Sequence, residues 1–128
     1  MASLLILSHS RSVADALRGL ALELNPNASV FSVGGAKDGS AGADYDKMKE
    51  TLEYALTLGD VIIFFDLGST MLTIQMVIEG LPEAEQSKIT LSTAALVEGT
   101  IAASACLAAG MPADEVLGQL EPLSINKF

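Results

Sequence analysis

Tryptophan is absent from this chain, histidine and cysteine occur once each, and Lys plus Arg supply 7 residues against 16 Asp plus Glu. Each scarcity narrows the choice of function. The lone Cys106 can neither close an internal disulfide nor provide a zinc ligand set, so a reducing compartment is expected. The formal net charge is −9. Nucleic acid is therefore a poor partner, because phosphate backbones are gripped by clustered Lys and Arg; an acidic surface fits docking to a basic protein face instead. No apolar run approaches the roughly 20 residues of a membrane span. "LLIL" near the start is too short for a signal h-region and has no basic flank before it. A soluble, cytoplasmic protein without membrane contact is expected. Aromatics make up 5% of the chain and hydrophobic residues 50%, so the core has to be built from Leu, Ile, Val, Ala and Met. That composition suits helices packed closely on a sheet. A length of 128 residues fits one domain spanning 1–128, able to bury about two thirds of its unfolded surface without a metal or disulfide staple.

What is present is an alternation of two periodicities. "SLLIL" (3–7), "ASVFSV" (28–33), "VIIFF" (61–65) and "KITLST" (88–93) are short apolar runs that stop at polar residues, as strands covered on both faces do. Between them, Val13, Leu17, Leu20, Ala21 and Leu24 recur at helical spacing and stop at Asn25-Pro26-Asn27, where a proline disfavours continuation. Tyr45, Met48, Leu52, Ala55 and Leu56 predict a second helix ending near Gly59, and Met71, Ile74, Ile78 and Leu81 a third, capped by Ser69 or Thr70. "AALVEGTIAASACLAAGM" predicts an Ala-rich helix closed by Gly110 and Pro112. The acidic segment 112–120 predicts another. The tail "EPLSINKF" reads either as a short edge strand or as a frayed end. The resulting order βαβαβαβα implies an α/β fold: a mostly parallel central sheet with helices on both faces and a flavodoxin-like strand order of 2-1-3-4.

In such sheets ligands bind beyond the carboxyl ends of the strands, at the switch point of the winding. The single histidine, in Ser8-His9-Ser10, stands there, where the first strand stops. With strands one and three as neighbours, Asp66 occupies the matching position on the adjacent strand. A carboxylate beside an imidazole holds one ring nitrogen as N–H and leaves the other as a lone pair for nucleophilic or base chemistry. Groups suited to an oxyanion share the edge. Gly34, Gly35, Gly39 and Gly42 permit backbone N–H groups to approach closely. Gly68-Ser69 opens a helix whose N-terminus favours negative charge. Ser8, Ser10, Ser40, Ser69 and Thr70 add hydroxyls. Phosphate chemistry at His9 is the expectation. No Walker or Rossmann spacing supports nucleotide binding by this chain. Cys106 reads as packing, the methionines as core, and Glu98 as a complement to a helix N-terminus. A non-enzymatic module that holds a small ligand or partner at the glycine loop is the alternative left by the residues alone.

"SHS" after strand one, "GGAKDGSAG" after strand two, "DLGS" after strand three and "ALVEGT" after strand four, in that order over nearly the whole chain, resemble the mannose-class enzyme IIA family of bacterial phosphotransferase systems. Within it they resemble the phosphocarrier subunits of phosphotransferase-dependent dihydroxyacetone kinases. The resemblance implies a homodimeric α/β domain whose His9 is phosphorylated, on Nε2, by the phosphocarrier HPr, with Asp66 orienting the ring. The group then passes to ADP held with Mg on a partner subunit of the kinase, so no cofactor or metal is expected on this chain. Phosphoryl-binding or supporting roles are expected of Ser8, Ser10, Gly35, Gly39, Ser40, Gly42, Gly68 and Ser69. Sugar-transport members carry Gly-His-Gly and "DLFGGSP"-like sequence, whereas Ser8-His9-Ser10 and Asp66-Leu67-Gly68-Ser69 stand here. That difference favours the dihydroxyacetone branch over an enzyme IIA domain serving a sugar permease. Ala41 and Ala43 depart from the usual "DGSIGTD", and Ala95 from the proline that commonly precedes "LVEG".

Overall fold

The computed structural model of the chain describes residues 2–127. Among these residues, four strands form one all-parallel sheet in the order β2-β1-β3-β4, as the sequence pattern predicts. In chain order the elements are β1 (Ser3–Ser8), α1 (Arg11–Leu24), β2 (Val30–Gly34), α2 (Tyr45–Leu56), β3 (Val61–Phe65), α3 (Gly68–Glu79), α4 (Glu83–Gln86), β4 (Ile89–Leu91), α5 (Leu96–Ala108) and α6 (Ala113–Leu120), followed by a 3₁₀ turn at Glu121–Leu123.

Side chains alternate between the two faces of a strand, and both faces of this sheet are covered. Leu4 and Ile6 of β1, with Ile62 and Phe64 of β3, pack under Ala14, Leu17 and Ala21 of α1, Ala103 and Leu107 of α5, and Val116 and Leu120 of α6. Leu5 and Leu7, with Val61, Ile63 and Phe65, face Met48, Leu52 and Leu56 of α2 and Ile74 and Val77 of α3. Every residue of β1 and β3 is buried, which is why both read as unbroken apolar runs. Each large side chain removed from water in this way contributes about 1.5–3 kcal/mol, so the two central strands are the most firmly held backbone in the molecule. Glycine makes one of these contacts possible. A Cβ on Gly99 would stand 2.9 Å from Ala94 Cβ and 3.0 Å from the Phe64 ring, so its absence lets α5 settle onto β3.

Several boundaries differ from the pattern. Val13 and Leu24, placed on the apolar stripe of the first helix by spacing, are 41% and 40% exposed, because α1 is covered along only part of its length. Neither Ser69 nor Thr70 caps α3. Its N-cap position is Leu67, with no side-chain hydrogen bond of its own. The single turn α4 has no periodicity to announce it. The fourth strand shrinks to Ile89–Leu91, so pairing with β3 ends at Ile63↔Leu91 while β1 and β3 continue to Leu7↔Phe65. The end of β3 therefore projects past its outer neighbour. The tail forms an isolated antiparallel bridge, Ala94↔Ser124, with Ala95 N–H donating to Leu123 O at 2.9 Å and Ile125 N–H to Thr93 O at 3.0 Å. It pairs with the loop after β4 rather than extending the sheet, and its last residue, Phe128, lies outside the described residues.

Candidate functional site

From β1 the chain leaves through α1 to β2 on one side, and from β2 it returns through α2 to β3 on the other. The switch of winding thus falls between the carboxyl ends of β1 and β3. His9 and Asp66 are the first residues beyond those ends, and they touch. His9 Nδ1 lies 2.5 Å from Asp66 Oδ2. The ring is 44% exposed while the carboxylate is only 14% exposed, so one nitrogen is anchored inward and the rest of the imidazole faces solvent.

Asp66 is held from both sides. Its Oδ2 also accepts from Ser8 Oγ at 2.7 Å and from the His9 backbone N–H at 3.1 Å. Its Oδ1 accepts from Leu67 N–H at 2.7 Å and Thr70 Oγ1 at 3.0 Å. Burial opposes ionisation of this carboxyl, but the donors of Ser8, His9 and Leu67 outweigh it and hold the pKa at about 2. At neutral pH Asp66 is therefore an acceptor, so the proton between it and the ring belongs to Nδ1, and in the neutral form of the imidazole the lone pair is on Nε2.

Ser8 is fully buried. Its hydroxyl donates to Asp66 and accepts the Ser10 N–H at 3.0 Å, so it braces the carboxylate from within the strand. Ser10 begins α1, its hydroxyl accepting Val13 N–H at 3.4 Å. Gly68 and Ser69 form the first turn of α3, where Met71 is the first residue whose N–H reaches a main-chain carbonyl of its own turn, Leu67 O, at 3.1 Å. The preceding amides are left without intrahelical acceptors at the positive end of the helix, two residues from Asp66.

The glycine loop takes a different part from the one its composition suggests. Gly35, Gly39 and Gly42 all have positive φ, at 74°, 88° and 150°, as a tight loop requires. Their N–H groups are already engaged, however: Gly35 donates to Ser8 O, Gly39 to Ala36 O and Gly42 to His9 O. Ser40 is likewise turned onto Asp38, which accepts from both its hydroxyl and its N–H. These residues shape the rim instead of offering donors to a ligand. Gly42 ties the loop to the carbonyl of His9 itself. Gly34 is required for another reason: a Cβ there would lie 2.5 Å from Ser10 O and 2.7 Å from Arg11 Cα, so only glycine lets the end of β2 close against the start of α1. Beside the loop, Arg11, Asp15, Ser32, Gly34, Asp44 and Lys47 line a shallow cleft.

Thr70, whose hydroxyl the sequence places at this edge, stands four residues after Asp66 and donates to its Oδ1. One participant escaped the sequence pattern. Lys127 comes from the tail. Its Nζ donates to Phe65 O at 2.5 Å and Ala94 O at 2.6 Å and lies 4.2 Å from the centre of the Phe65 ring. No local motif marks it.

The family model described as EIIA-man, PTS system fructose IIA component, matches residues 3–117 of the chain. A protein of Lactococcus lactis subsp. lactis described as "PTS-dependent dihydroxyacetone kinase, phosphotransferase subunit DhaM" is 32% identical over 124 residues, covering 97% of each chain. A Listeria innocua protein described as "PEP-dependent dihydroxyacetone kinase 1, phosphoryl donor subunit DhaM" is 30% identical over 121 residues, covering 94% of each. A crystal structure described as that of an unknown function protein, EF1359, superposes with a TM-score of 0.85 at 30% identity, covering 98% of this chain and 96% of the other.

Proposed function

The chain belongs to the EIIA-man family, and from that premise we propose that it is the phosphohistidine carrier of a dihydroxyacetone kinase system. The observation that carries this reading is the fixed ring of His9: one nitrogen is bound to an ionised Asp66 with five donors, and the other is left to solvent. The description of the Lactococcus and Listeria relatives as DhaM subunits of dihydroxyacetone kinases supports it.

In this mechanism Nε2 attacks the phosphorus of a phosphorylated HPr in line. The N–P bond to the donor breaks as the N–P bond to His9 forms, and Nδ1 keeps its proton on the Asp66 side throughout. Asp66 stabilises the positive charge that develops on the ring, and the unpaired amides at the start of α3 face the negative charge of the phosphoryl oxygens. Catalysis is positioning and electrostatics, with no covalent activation beyond the histidine. In the second half, a terminal phosphate oxygen of ADP on a partner kinase subunit attacks the same phosphorus, and His9 leaves as the neutral imidazole. The chain needs no metal of its own for this step; Mg belongs with the partner's nucleotide. The reading includes a cytoplasmic homodimer, and among the described residues no helix is long and apolar enough to cross a membrane.

Incubation with phosphoenolpyruvate, enzyme I and HPr is expected to load acid-labile phosphate onto the chain, and His9→Ala to abolish loading. Full incorporation in that variant would refute the assignment. Addition of the remaining dihydroxyacetone kinase subunits is expected to give dihydroxyacetone phosphate. Loading without that product, together with activity on a sugar permease, would reassign the chain to sugar transport. Absence of loading with any donor would favour a binding module.

A further inference from the structure

In a parallel ladder, alternate residues of a strand direct both backbone polar groups to the same neighbour. On β3 these are Val61, Ile63 and Phe65 toward β4: Val61 N–H donates to Lys88 O at 3.0 Å, and Ile63 O accepts Ser92 N–H at 2.9 Å. Continued past Phe65 N–H and Ser92 O, the same ladder would join Ala94 N–H to Phe65 O. That rung is missing, because Ala94 N–H goes to Ser92 Oγ at 3.1 Å. An unpaired carbonyl at the end of a buried strand is costly, and this one belongs to the peptide that leads directly into Asp66. Lys127 fills the gap. Its ammonium reaches Phe65 O and Ala94 O together and rests on the Phe65 ring, an attraction that requires its charge. The tail is delivered there by its pairing with 93–95 and by Thr93 Oγ1 donating to Ser124 Oγ at 3.1 Å. Burial lowers the Lys127 pKa, against the opposing pull of Asp66.

We propose that Lys127 is a positioning residue of the His9 centre, completing the β3 ladder at Phe65 and fixing a cation beside the Asp66–His9 pair. Its consequence for phosphoryl uptake rests on the carrier function proposed above. A phosphoryl group on His9 places two negative charges on its oxygens near an ionised Asp66, only one of them balanced by the ring that keeps its Nδ1 proton, and a cation held by two carbonyls offsets the remaining repulsion without having to be recruited from solvent.

The test uses the full chain with Lys127→Met and Lys127→Arg, read in two ways. One is the ¹⁵N signals of the unphosphorylated His9 ring, which report whether a single Nδ1–H tautomer is held. The other is the equilibrium constant for phosphoryl uptake from phosphorylated HPr. Lys127→Met is expected to move the ring signals toward mixed tautomers and to lower uptake about tenfold, while Lys127→Arg, which keeps charge and donors, stays within about twofold of the original. Should Lys127→Met not fold, Lys127→Gln keeps an N–H donor for Phe65 O without the charge and is expected to lower uptake by a similar factor. The proposal is overturned if Lys127→Met keeps both the ring signals and the uptake of the unmodified chain, or if Lys127→Arg loses as much as Lys127→Met. If the unmodified chain takes up no phosphate at all, the carrier function falls, and the ring signals alone decide the positioning role.

Discussion

The loop after β2 and the turn after β3 meet at the same edge of the sheet, yet they spend their polar groups in opposite ways. The turn after β3 directs donors from β1, α3 and His9 onto one carboxylate. The loop after β2 spends its donors on main-chain carbonyls, within itself and at Ser8 and His9, and turns Ser40 onto Asp38. Precision at His9 therefore comes from strand ends fixed in a buried core. The loop contributes a shape, held to His9 through a single backbone bond from Gly42.

If this division is right, substitutions after β3 act on transfer and substitutions after β2 act on stability. Asp66→Asn offers the ring nitrogen an amide in place of the carboxylate, and phosphoryl transfer is expected to slow on the order of a hundredfold, measured by rapid-quench loading from phosphorylated HPr. The same variant changes the acid limb of stability. Asp66 has a folded pKa depressed from the ordinary 3.8 to about 2. Its contribution, about 1 kcal/mol after allowance for solvent screening, is full above 3.8 and is lost as pH falls through 2. Acid titration of Asp66→Asn is expected to lack that segment. Gly34→Ala forces a Cβ into the backbone of Ser10 and Arg11. It is expected to cost about 2–3 kcal/mol in urea unfolding, with transfer by the folded fraction less affected. Ser8→Ala removes one donor from Asp66 and leaves the Ser10 N–H unpaired. About tenfold slower transfer is expected, with little change in global structure by circular dichroism. The smallest effect is expected at Gly39→Ala, where the nearest atom to a new Cβ is the Arg11 guanidinium at 4.0 Å. The cost is then the positive φ alone, about 1 kcal/mol, and loading is unchanged. A large loss of transfer at Gly39 would place the loop in the chemistry after all.

The strands and the His9–Asp66 meeting were legible because they follow from periodicity and from the rule that parallel sheets gather ligands at one edge. The uninterrupted runs 3–7 and 61–65 could only be central strands, and central strands that are neighbours bring their following residues together. The early end of β4 was not legible, since "KITLST" has strand composition throughout, while the strand ends at Leu91 and Ala94 N–H turns to Ser92 Oγ instead of β3. Lys127 was hidden for the same reason. It stands 62 residues from its acceptor on β3, and a vacancy that the sequence does not display gives no cause to look for its occupant. The glycine loop was legible as a loop, but composition does not say where amides point. Their engagement by Ser8 O, Ala36 O and His9 O is a property of the folded path.

Asp66 has a second duty with practical reach. The same carboxylate that grips His9 also receives Leu67 N–H and Thr70 Oγ1 at the head of α3. The first turn of that helix and the imidazole are thus two tenants of one anchor. A change in the ring, whether a proton gained or a group attached, redistributes the anchor's grip and is felt as a change in how often the helix start opens. Amide exchange at Leu67 and Met71, the two hydrogen-bonded N–H groups of that turn, is then expected to gauge the state of His9 on the intact protein without a radiolabel or a partner enzyme.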